Sequence, residues 1–352
     1  MTSLRPVQGS PVEVLALLRV WNAAPSEPEP LIIETSGSTG TPKRVVLSRR
    51  AMRASAAATE KRLGGPGQWL LNLPPTYVAG VQVLFRSVLA GTTPVMLDDY
   101  ASFPEAASAM DGERTYVSLV PTQLTRMLRS PRDVEALRRF DTVLVGGAAV
   151  EQSLRRAAAE AGVHVVATYG MSETCGGCVY DGVPLDGVAV AIGRDGTIRI
   201  SGPVLFDGYD GRPGDTAEVM QGTWFVTSDL GRLDPDGRLQ VLGRADDVLV
   251  TGGVKVPAGA VARRLREHPW VGAAEVVGVP DPEWGQKVVA VAVPRAGGAA
   301  RNAPVLDDLR NWVSQVHPRE WAPKQLVWTD ELPLLANGKL DRMALQRLAA
   351  DA

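Results

Sequence analysis

The segment TSGSTGTPK, residues 35–43, is rich in hydroxyls and glycines and ends in a lysine. Glycines let a backbone approach phosphate oxygens, while free N–H groups, hydroxyls and a lysine ammonium bind them. Because the segment lies between the apolar strand-like run LIIE and a helix-like stretch, a flexible linker is disfavoured. We predict a phosphate-binding loop, and its candidate ligands are Thr35, Ser36, Gly37, Ser38, Thr39, Gly40, Thr41 and Lys43.

This loop does not match the Walker A pattern. A Walker A loop requires Gly-x-x-x-x-Gly-Lys followed by Ser or Thr. Here Pro42 precedes the lysine and Arg44 follows it. A P-loop ATPase is therefore disfavoured.

Other segments carry residues that could do chemistry, and each also has an ordinary structural explanation. Glu173 in ATYGMSET could bind Mg²⁺, which prefers oxygen ligands, or could be a carboxylate at a helix start. Asp229 in FVTSDLGRL could accept two hydrogen bonds, although a single Asp in such a setting is usually a turn residue. Lys339 follows an Asn-Gly pair, where most lysines are surface residues after a turn.

Taken in order, these segments resemble those of the adenylate-forming superfamily of acyl-CoA synthetases, adenylation domains and luciferases. The resemblance covers nearly the whole chain from Glu34 onward. It implies an enzyme that uses ATP, Mg²⁺ and coenzyme A and activates a carboxylic acid as its acyl-adenylate. By this resemblance the chain is short for the family, and we expect it to lack most of the usual N-terminal subdomain.

The resemblance also assigns the nucleotide site. It places Tyr169 against adenine, Glu173 on Mg²⁺ and Thr174 on phosphate, and it places Asp229 and Arg244 on the ribose. The same motif adds the candidate ATP-binding residues Gly170, Met171 and Ser172.

The second half of the chain matches the family's mobile parts. Lys339, in the Asn-Gly-Lys setting of LPLLANGKLDRMAL, takes the catalytic role together with Lys43 and Thr174. It would bridge the substrate carboxylate and the α-phosphate as pyrophosphate leaves. Asp246 matches the hinge about which the small domain turns. Gly252 and Gly253 in VTGGVKV would face coenzyme A, where glycines allow close approach.

Two stretches are similar to o-succinylbenzoate–CoA ligases of the actinobacterial kind, namely TCGGCVYDGVPLDGV and LPPTYVAGVQVLFRSVLAG. Tyr77 stands where those ligases often have a histidine lid. Arg86 interrupts an apolar helical run, and we expect it to bind the carboxylate that is not activated. The alternative is an internal salt bridge to Asp98 or Asp99. Substrate-binding roles are also expected for Gly146 and Gly147, which follow the strand-like TVLV.

The elements that position these residues alternate between strand-like and helix-like. We predict an α/β fold with a large N-terminal domain of layered sheets and helices, residues 1–244, that ends in a small β section. A small, mobile α+β C-terminal domain, residues 245–352, follows. Strands are predicted at residues 31–34, 69–73, 93–97, 142–146, 163–168, 197–201, 238–242, 274–278, 287–294 and 324–329, and helices at residues 49–63, 151–161, 257–268 and 305–316.

Composition narrows the class of protein further. Net charge is −2 and the hydrophobic fraction is 45%, which requires neither nucleic acid nor an anionic membrane as a partner. Two cysteines exclude a disulfide framework, and scattered histidines disfavour a zinc site. No signal peptide or spanning run is evident, which predicts a cytoplasmic protein. The family resemblance adds a possible homodimer.

The sequence alone leaves other functions possible for this chain. The acid could be another aryl or fatty acid, or the chain could be a stand-alone adenylation enzyme that loads a carrier protein. A non-catalytic relative used as a binding partner belongs to a different class of function. Intact residues at Lys43, Glu173, Asp229, Arg244 and Lys339 argue against that last class.

Overall fold

The structure is a computed structural model of the chain, and it describes residues 2–35, 43–295, 304–333 and 340–351. The side chains of Asp246 and Arg342 also lie outside the described part. The helices are α1 (Pro11–Ala23), α2 (Arg49–Leu63), α3 (Val78–Ala90), α4 (Phe103–Ser108), α5 (Pro121–Met127), α6 (Pro131–Leu137), α7 (Gln152–Glu160), α8 (Pro213–Val219), α9 (Ala258–Arg266), α10 (Leu306–Ser314) and α11 (Arg342–Ala350).

The strands are mostly short. In chain order they are β1 (Ser3–Leu4), β2 (Val7–Gln8), β3 (Leu31–Thr35), β4 (Lys43–Leu47), β5 (Gln68–Leu71), β6 (Val95–Met96), β7 (Thr115–Leu119), β8 (Thr142–Val145), β9 (Val165–Met171), β10 (Gly176–Tyr180), β11 (Val183–Pro184), β12 (Ala189–Ile192), β13 (Thr197–Ser201), β14 (Gly208–Tyr209), β15 (Met220–Gln221), β16 (Trp224–Leu233), β17 (Leu239–Arg244), β18 (Val248–Thr251), β19 (Val254–Pro257), β20 (Val271–Asp281), β21 (Gly285–Pro294) and β22 (Gln325–Trp328).

The chain divides into two compact units. The first consists of residues 1–191, 199–227 and 233–239, and the second of residues 192–198, 228–232 and 240–352. The dividing line falls within strands β12, β13, β16 and β17. Whether residues 244–247 are the functional boundary between two moving domains stays a prediction.

A mixed sheet organises the first unit, with strand order β11-β10-β9-β8-β7-β5-β6. The neighbours from β9 through β6 are parallel, and β10 and β11 are antiparallel additions. Strands β5, β7 and β8 are almost wholly buried, as expected when both faces of a sheet are covered, whereas β9 is half-buried along its length. Because β5, β7, β8 and β9 run in parallel, their carboxyl ends lie at one edge of the sheet. Open α/β sheets bind ligands at this edge.

Helices α2 and α3 pack on each other and on this sheet. Helix α2 begins at the N-cap Ser48 and ends at Gly64, which adopts the left-handed conformation that favours glycine. Helix α3 is buried over most of its length, although it carries Gln82 and Arg86. An apolar helix that keeps two polar residues on one buried face needs polar partners for them.

A second sheet consists of three antiparallel strands in the order β14-β4-β3, and its strands β3 and β4 flank the phosphate-loop segment in the sequence. Strand β3 ends at Thr35 and β4 starts at Lys43, so residues 36–42 connect two paired strands. The expectation of a helix directly after the loop is wrong, because the β-branched run RVVL extends a strand before α2 starts. The predicted strand 31–34 and helix 49–63 are both present.

The second unit has a compact α+β core. Strands β20 and β21 form a long antiparallel pair, and β22 adds in parallel. Helices α9 and α10 cover one face with apolar side chains such as Val261 and Leu309, while α11 covers the other with Leu345. The predicted mixed α/β class, with a larger N-terminal and a smaller C-terminal part, is confirmed. No helix in the described ranges is long and apolar enough to cross a membrane.

His317 gives the second unit a pH-dependent stability. Burial, and then the positive charges of Arg232, Arg263 and Arg264, lower the pKa of His317 to about 4 from its ordinary value of 6.5, against a smaller opposing effect of Glu267. Between pH 6.5 and 4, His317 is therefore protonated in the unfolded chain and neutral in the folded chain. The free energy of unfolding falls as the pH falls through this window.

We expect His317→Phe, which keeps a ring on Trp321, to reduce this loss. The fall in the free energy of unfolding from pH 7 to pH 5 should be smaller in the variant by about 1 kcal/mol, after discounting for solvent screening of a half-buried ring. Urea unfolding at both pH values, followed by circular dichroism, measures the difference. An equal fall in both proteins would contradict it.

Candidate active site

A cavity of about 270 Å³ opens at the carboxyl edge of the parallel strands in the first unit. Its floor comes from residues at or just after the ends of β7, β8 and β9, and one wall comes from α3. The predicted substrate-binding residues Tyr77, Arg86, Gly146 and Gly147 all line it. Tyr77 is the N-cap residue of α3 and is 53% exposed, as a residue at the mouth should be.

Arg86 is buried in the wall of this cavity, and the described residues give it no counter-ion. Its Nη2 donates to Oγ1 of Thr59 at 3.2 Å, and its guanidinium lies 5.0 Å from the ring centroid of Trp69. Its Nε is buried without a hydrogen-bond partner, and no carboxylate of the described residues lies within 4.0 Å. The alternative of an internal salt bridge to Asp98 or Asp99 is therefore not formed in this structure.

Arg49 is a second buried arginine of the first unit, and its guanidinium finds its ionic and hydrogen-bond partners within the protein. It is as buried as Arg86, 8% against 7% exposed. It pairs with Glu27 and donates to several backbone carbonyls, including that of Ala24 at 2.6 Å. The contrast indicates that Arg86 is arranged for a partner that is not part of the described chain.

Gln82, one turn before Arg86 on α3, is a second polar residue of the cavity wall. Its Nε2 donates to the carbonyl of Cys175 at 2.8 Å, while its Oε1 is buried without a partner among the described residues. Thr59, which accepts from Arg86, also hydrogen-bonds the Tyr180 hydroxyl at 3.1 Å. Nothing in the sequence marks Gln82 as a site residue, although its spacing of four from Arg86 places both on one helix face.

Gly170, predicted to touch ATP, is required by the packing of β9 on β10. A Cβ at this position would lie 2.0 Å from the carbonyl oxygen of Gly176. We expect Gly170→Ala to lower the free energy of unfolding by at least about 2 kcal/mol, because the obstacle is backbone and cannot rotate away.

Gly214→Ala is the matched control, since nothing lies within 4 Å of its added Cβ and it sits in α8. It should be neutral or slightly stabilising. Urea midpoints measure both variants, and equal midpoints for the two would contradict the packing argument.

The predicted metal motif forms a short 3-10 turn, Ser172–Thr174, between β9 and β10. Glu173 is half-buried, and its Oε1 accepts a hydrogen bond of 2.8 Å from the Tyr209 hydroxyl. Thr174 is fully buried, and its hydroxyl donates to the carbonyl of Gly176 at 2.7 Å. Its expected contact with phosphate stays a prediction. Tyr169 and Met171 belong to β9, directly before this turn.

Lys43 contacts the ring of Tyr209, the residue whose hydroxyl binds the Glu173 carboxylate, and forms no ion pair with that carboxylate. Its Nζ sits 4.8 Å from the ring centroid of Tyr209, and no Lys43–Glu173 ion pair within 4.0 Å is formed. Burial, and then the charge of Glu173, raise the pKa of Tyr209 above its ordinary value, so its hydroxyl remains a donor. The rest of the predicted loop, residues 36–41, lies outside the described residues.

The donor set at Glu173 fits Mg²⁺ and not a protein-caged transition metal. The described residues contain no cluster of three His, Cys, Asp or Glu side chains able to hold a metal ion. Mg²⁺ keeps several waters and is commonly bound by one or two carboxylates together with substrate phosphates. A single half-buried carboxylate, with a phosphate-loop lysine on the same tyrosine, meets that requirement.

Site residues predicted in the second unit form two groups. Asp229 on β16 pairs with Arg244 on β17 at 3.8 Å, and the Asp229 side chain is only 15% exposed. Gly252 and Gly253 form the two-residue turn between β18 and β19, with φ of 53° and 78°. Positive φ at both positions is the conformation of a type I′ turn, which favours glycine.

Besides the phosphate-loop residues 36–41, two more residues with predicted roles lie outside what the structure describes. These are Lys339 and the side chain of Asp246, whose backbone belongs to the 3-10 turn Ala245–Asp247. Cys175 and Cys178, the two cysteines of the chain, are free and buried. Burial raises the pKa of both thiols, that of Cys178 to about 12, which keeps them neutral.

Two models of known protein families match the sequence of this chain. Residues 21–209 match the model of the AMP-binding enzyme family, and residues 261–339 match that of the AMP-binding enzyme C-terminal domain. The chain belongs to the AMP-binding enzyme family. The predicted resemblance to adenylate-forming enzymes is confirmed.

Within this family, the chain is similar to relatives that are named as 2-succinylbenzoate–CoA ligases. The chain is 44% identical over 330 residues to a probable 2-succinylbenzoate–CoA ligase of Mycobacterium tuberculosis, which covers 92% of this chain and 85% of the relative. It is 31% identical to a 2-succinylbenzoate–CoA ligase of Bacillus anthracis, over 91% of this chain and 70% of the relative.

A solved structure agrees with these sequence relatives. The o-succinylbenzoate CoA synthetase of Bacillus subtilis, in complex with its acyl-adenylate intermediate, superposes with a TM-score of 0.73 at 29% identity. The match covers 90% of this chain and 68% of that one. The larger and smaller parts of the AMP-binding family fold are thus both present.

Proposed function

We propose that the protein is an o-succinylbenzoate–CoA ligase, an AMP-forming acid–CoA ligase that acts in menaquinone biosynthesis. The observation that carries the proposal is the buried guanidinium of Arg86 in the cavity wall, which has no carboxylate partner among the described residues and whose Nε makes no hydrogen bond to them. o-Succinylbenzoate has two carboxylates, of which only the succinyl one is activated. A planar guanidinium binds the other by two parallel hydrogen bonds.

The size of the cavity supports a compact acid. Its volume of about 270 Å³ is near the lower end of small-molecule pockets, about 300 Å³. Apart from Arg86 and Gln82, the α3 wall presents apolar residues such as Val78 and Ala79, which suit an aromatic ring. A long acyl chain would have neither the room nor a use for the guanidinium.

In the proposed first half-reaction, the succinyl carboxylate attacks the α-phosphate of ATP and pyrophosphate leaves. Lys43 and the hydroxyls of the phosphate loop bind the phosphates, and Glu173 would hold Mg²⁺, which neutralises phosphate charge when bound. Asp229 and Arg244 bind the ribose, and Tyr169 lies against adenine. Lys339 stabilises the charge that develops between the carboxylate and the α-phosphate.

In the proposed second half-reaction, the C-terminal part turns about Asp246. Lys339 then leaves, and the Gly252–Gly253 turn faces the pantetheine arm of coenzyme A. The thiol sulfur attacks the mixed anhydride, and AMP leaves. Rotation of one domain lets a single cavity serve two transition states. A cytoplasmic location, inferred from the sequence, and a homodimer, suggested by the family resemblance alone, complete the proposal.

Acid-dependent exchange of labelled pyrophosphate into ATP tests the proposed adenylation. We expect exchange with o-succinylbenzoate and little with benzoate or a medium-chain fatty acid. Exchange with a different acid only would keep the reaction and reject the substrate. Absence of exchange with every acid, in a protein that is folded and binds ATP, would favour a non-catalytic relative.

A further inference from the structure

Tyr209 lies between the two oppositely charged groups of the proposed Mg·ATP site. Its hydroxyl donates to Glu173 at 2.8 Å, and the face of its ring receives Lys43 at 4.8 Å from the centroid. It is 6% exposed, so both contacts are made in surroundings that exclude most water. Opposite charges attract more strongly there than in water.

The backbone of Tyr209 is fixed from two directions. Strand β14 pairs with β4, with Tyr209 opposite Val45, two residues from Lys43. The Tyr209 N–H donates to Oγ1 of Thr216 at 2.9 Å, and the ring packs edge-on against Phe206. Phe206 in turn donates its N–H to the carbonyl of Glu173. Tyr209 is therefore held relative to both the phosphate-loop strand and the metal motif.

We propose that Tyr209 is a positioning residue that orients the Glu173 carboxylate toward the metal and keeps Lys43 from pairing with it. The inference rests on the proposed function, which supplies the metal and the nucleotide. With one carboxylate oxygen engaged by the hydroxyl, the other is left for Mg²⁺. With its ammonium over the ring, Lys43 stays available to phosphate.

The two halves of the role can be separated by two substitutions. Tyr209→Phe removes the hydroxyl and keeps the ring, so it should disturb only the metal. Tyr209→Leu removes both, so Glu173 and Lys43 should also pair with each other and weaken phosphate binding. Tyr116→Phe is the matched control, because it removes a buried hydroxyl that, within the described ranges, bonds only the backbone carbonyls of Leu63 and Gly65.

The experiment measures binding of α,β-methylene-ATP with and without Mn²⁺; this analogue cannot transfer its adenylyl group to an acid, because its α–β bridge is not cleaved. Tryptophan fluorescence gives the nucleotide affinity, and electron paramagnetic resonance of Mn²⁺ reports the metal directly. In Tyr209→Phe we expect the gain in affinity that Mn²⁺ provides to fall by about 10-fold, as is usual when a partner of a metal ligand is lost. Metal-free affinity should match that of the wild type and of Tyr116→Phe.

Glu173→Gln separates failure of this inference from failure of the proposed function. If Glu173→Gln loses the Mn²⁺ effect while Tyr209→Phe keeps it, Tyr209 has no positioning role and the proposed site stands. If Glu173→Gln also keeps the effect, the metal role of Glu173 and the inference both fail. Should Tyr209→Leu not fold, the Phe variant alone still decides the role of the hydroxyl.

Discussion

Arg86→Met is expected to lower kcat/KM for o-succinylbenzoate by roughly 10²-fold, equivalent to about 3 kcal/mol. The variant leaves the ring carboxylate buried without its guanidinium. For 4-oxo-4-phenylbutanoate, which lacks the ring carboxylate, kcat/KM should stay the same or rise. Steady-state kinetics with both acids measure this change in selectivity, which is the largest effect that the cavity predicts.

Stability provides an independent check on Arg86. A structural arginine whose removal leaves a partner charge buried would cost about 3–5 kcal/mol. Because Arg86 has no carboxylate partner among the described residues, Arg86→Met should be neutral or stabilising in urea. Arg126→Met on the short helix α5 is the control for loss of a positive charge elsewhere in the same unit. A strongly destabilised Arg86→Met with unchanged selectivity would contradict the assignment.

Lys339→Ala is expected to lower the rate of adenylation by roughly 10³-fold, because one fixed positive charge at the reacting carboxylate and phosphate is lost. The second half-reaction should survive, since Lys339 is proposed to leave before coenzyme A attacks. Supplying the acyl-adenylate together with coenzyme A should therefore restore thioester formation to within a few-fold of the wild-type rate.

Single-turnover measurements of the two half-reactions test this separation. Lys287→Ala, a lysine on β21 of the same unit, is the matched control and should leave both half-reactions unchanged. Equal losses in the two half-reactions of Lys339→Ala would contradict a role confined to adenylation.

Much of the fold follows from local patterns. The predicted strand 197–201 and helix 49–63 match the structure at both ends, because turn residues and caps delimit them. Strand β4 was missed because KRVVL is too short for its period to separate strand from helix. Its partner β14 lies far along the chain, and such pairings leave no local signal.

Some residues of the candidate site could also be predicted from the sequence, and others could not. Arg86 could be predicted because a charged residue in an apolar helical run needs a partner. Tyr209 could not, because its contacts with Glu173 and Lys43 join segments 36 and 166 positions apart, and nothing in FDGYD marks a site residue. The sequence also could not show that Asp98 and Asp99 leave Arg86 unpaired, since that depends on packing.

The most direct test of the account is formation of a CoA thioester from o-succinylbenzoate, Mg·ATP and coenzyme A, followed by mass spectrometry. The same reaction with 4-oxo-4-phenylbutanoate is run alongside. The account predicts the o-succinylbenzoyl thioester, with a preference of roughly 10²-fold in kcat/KM over the acid that lacks the ring carboxylate. Equal use of both acids, or thioester from neither, would contradict it.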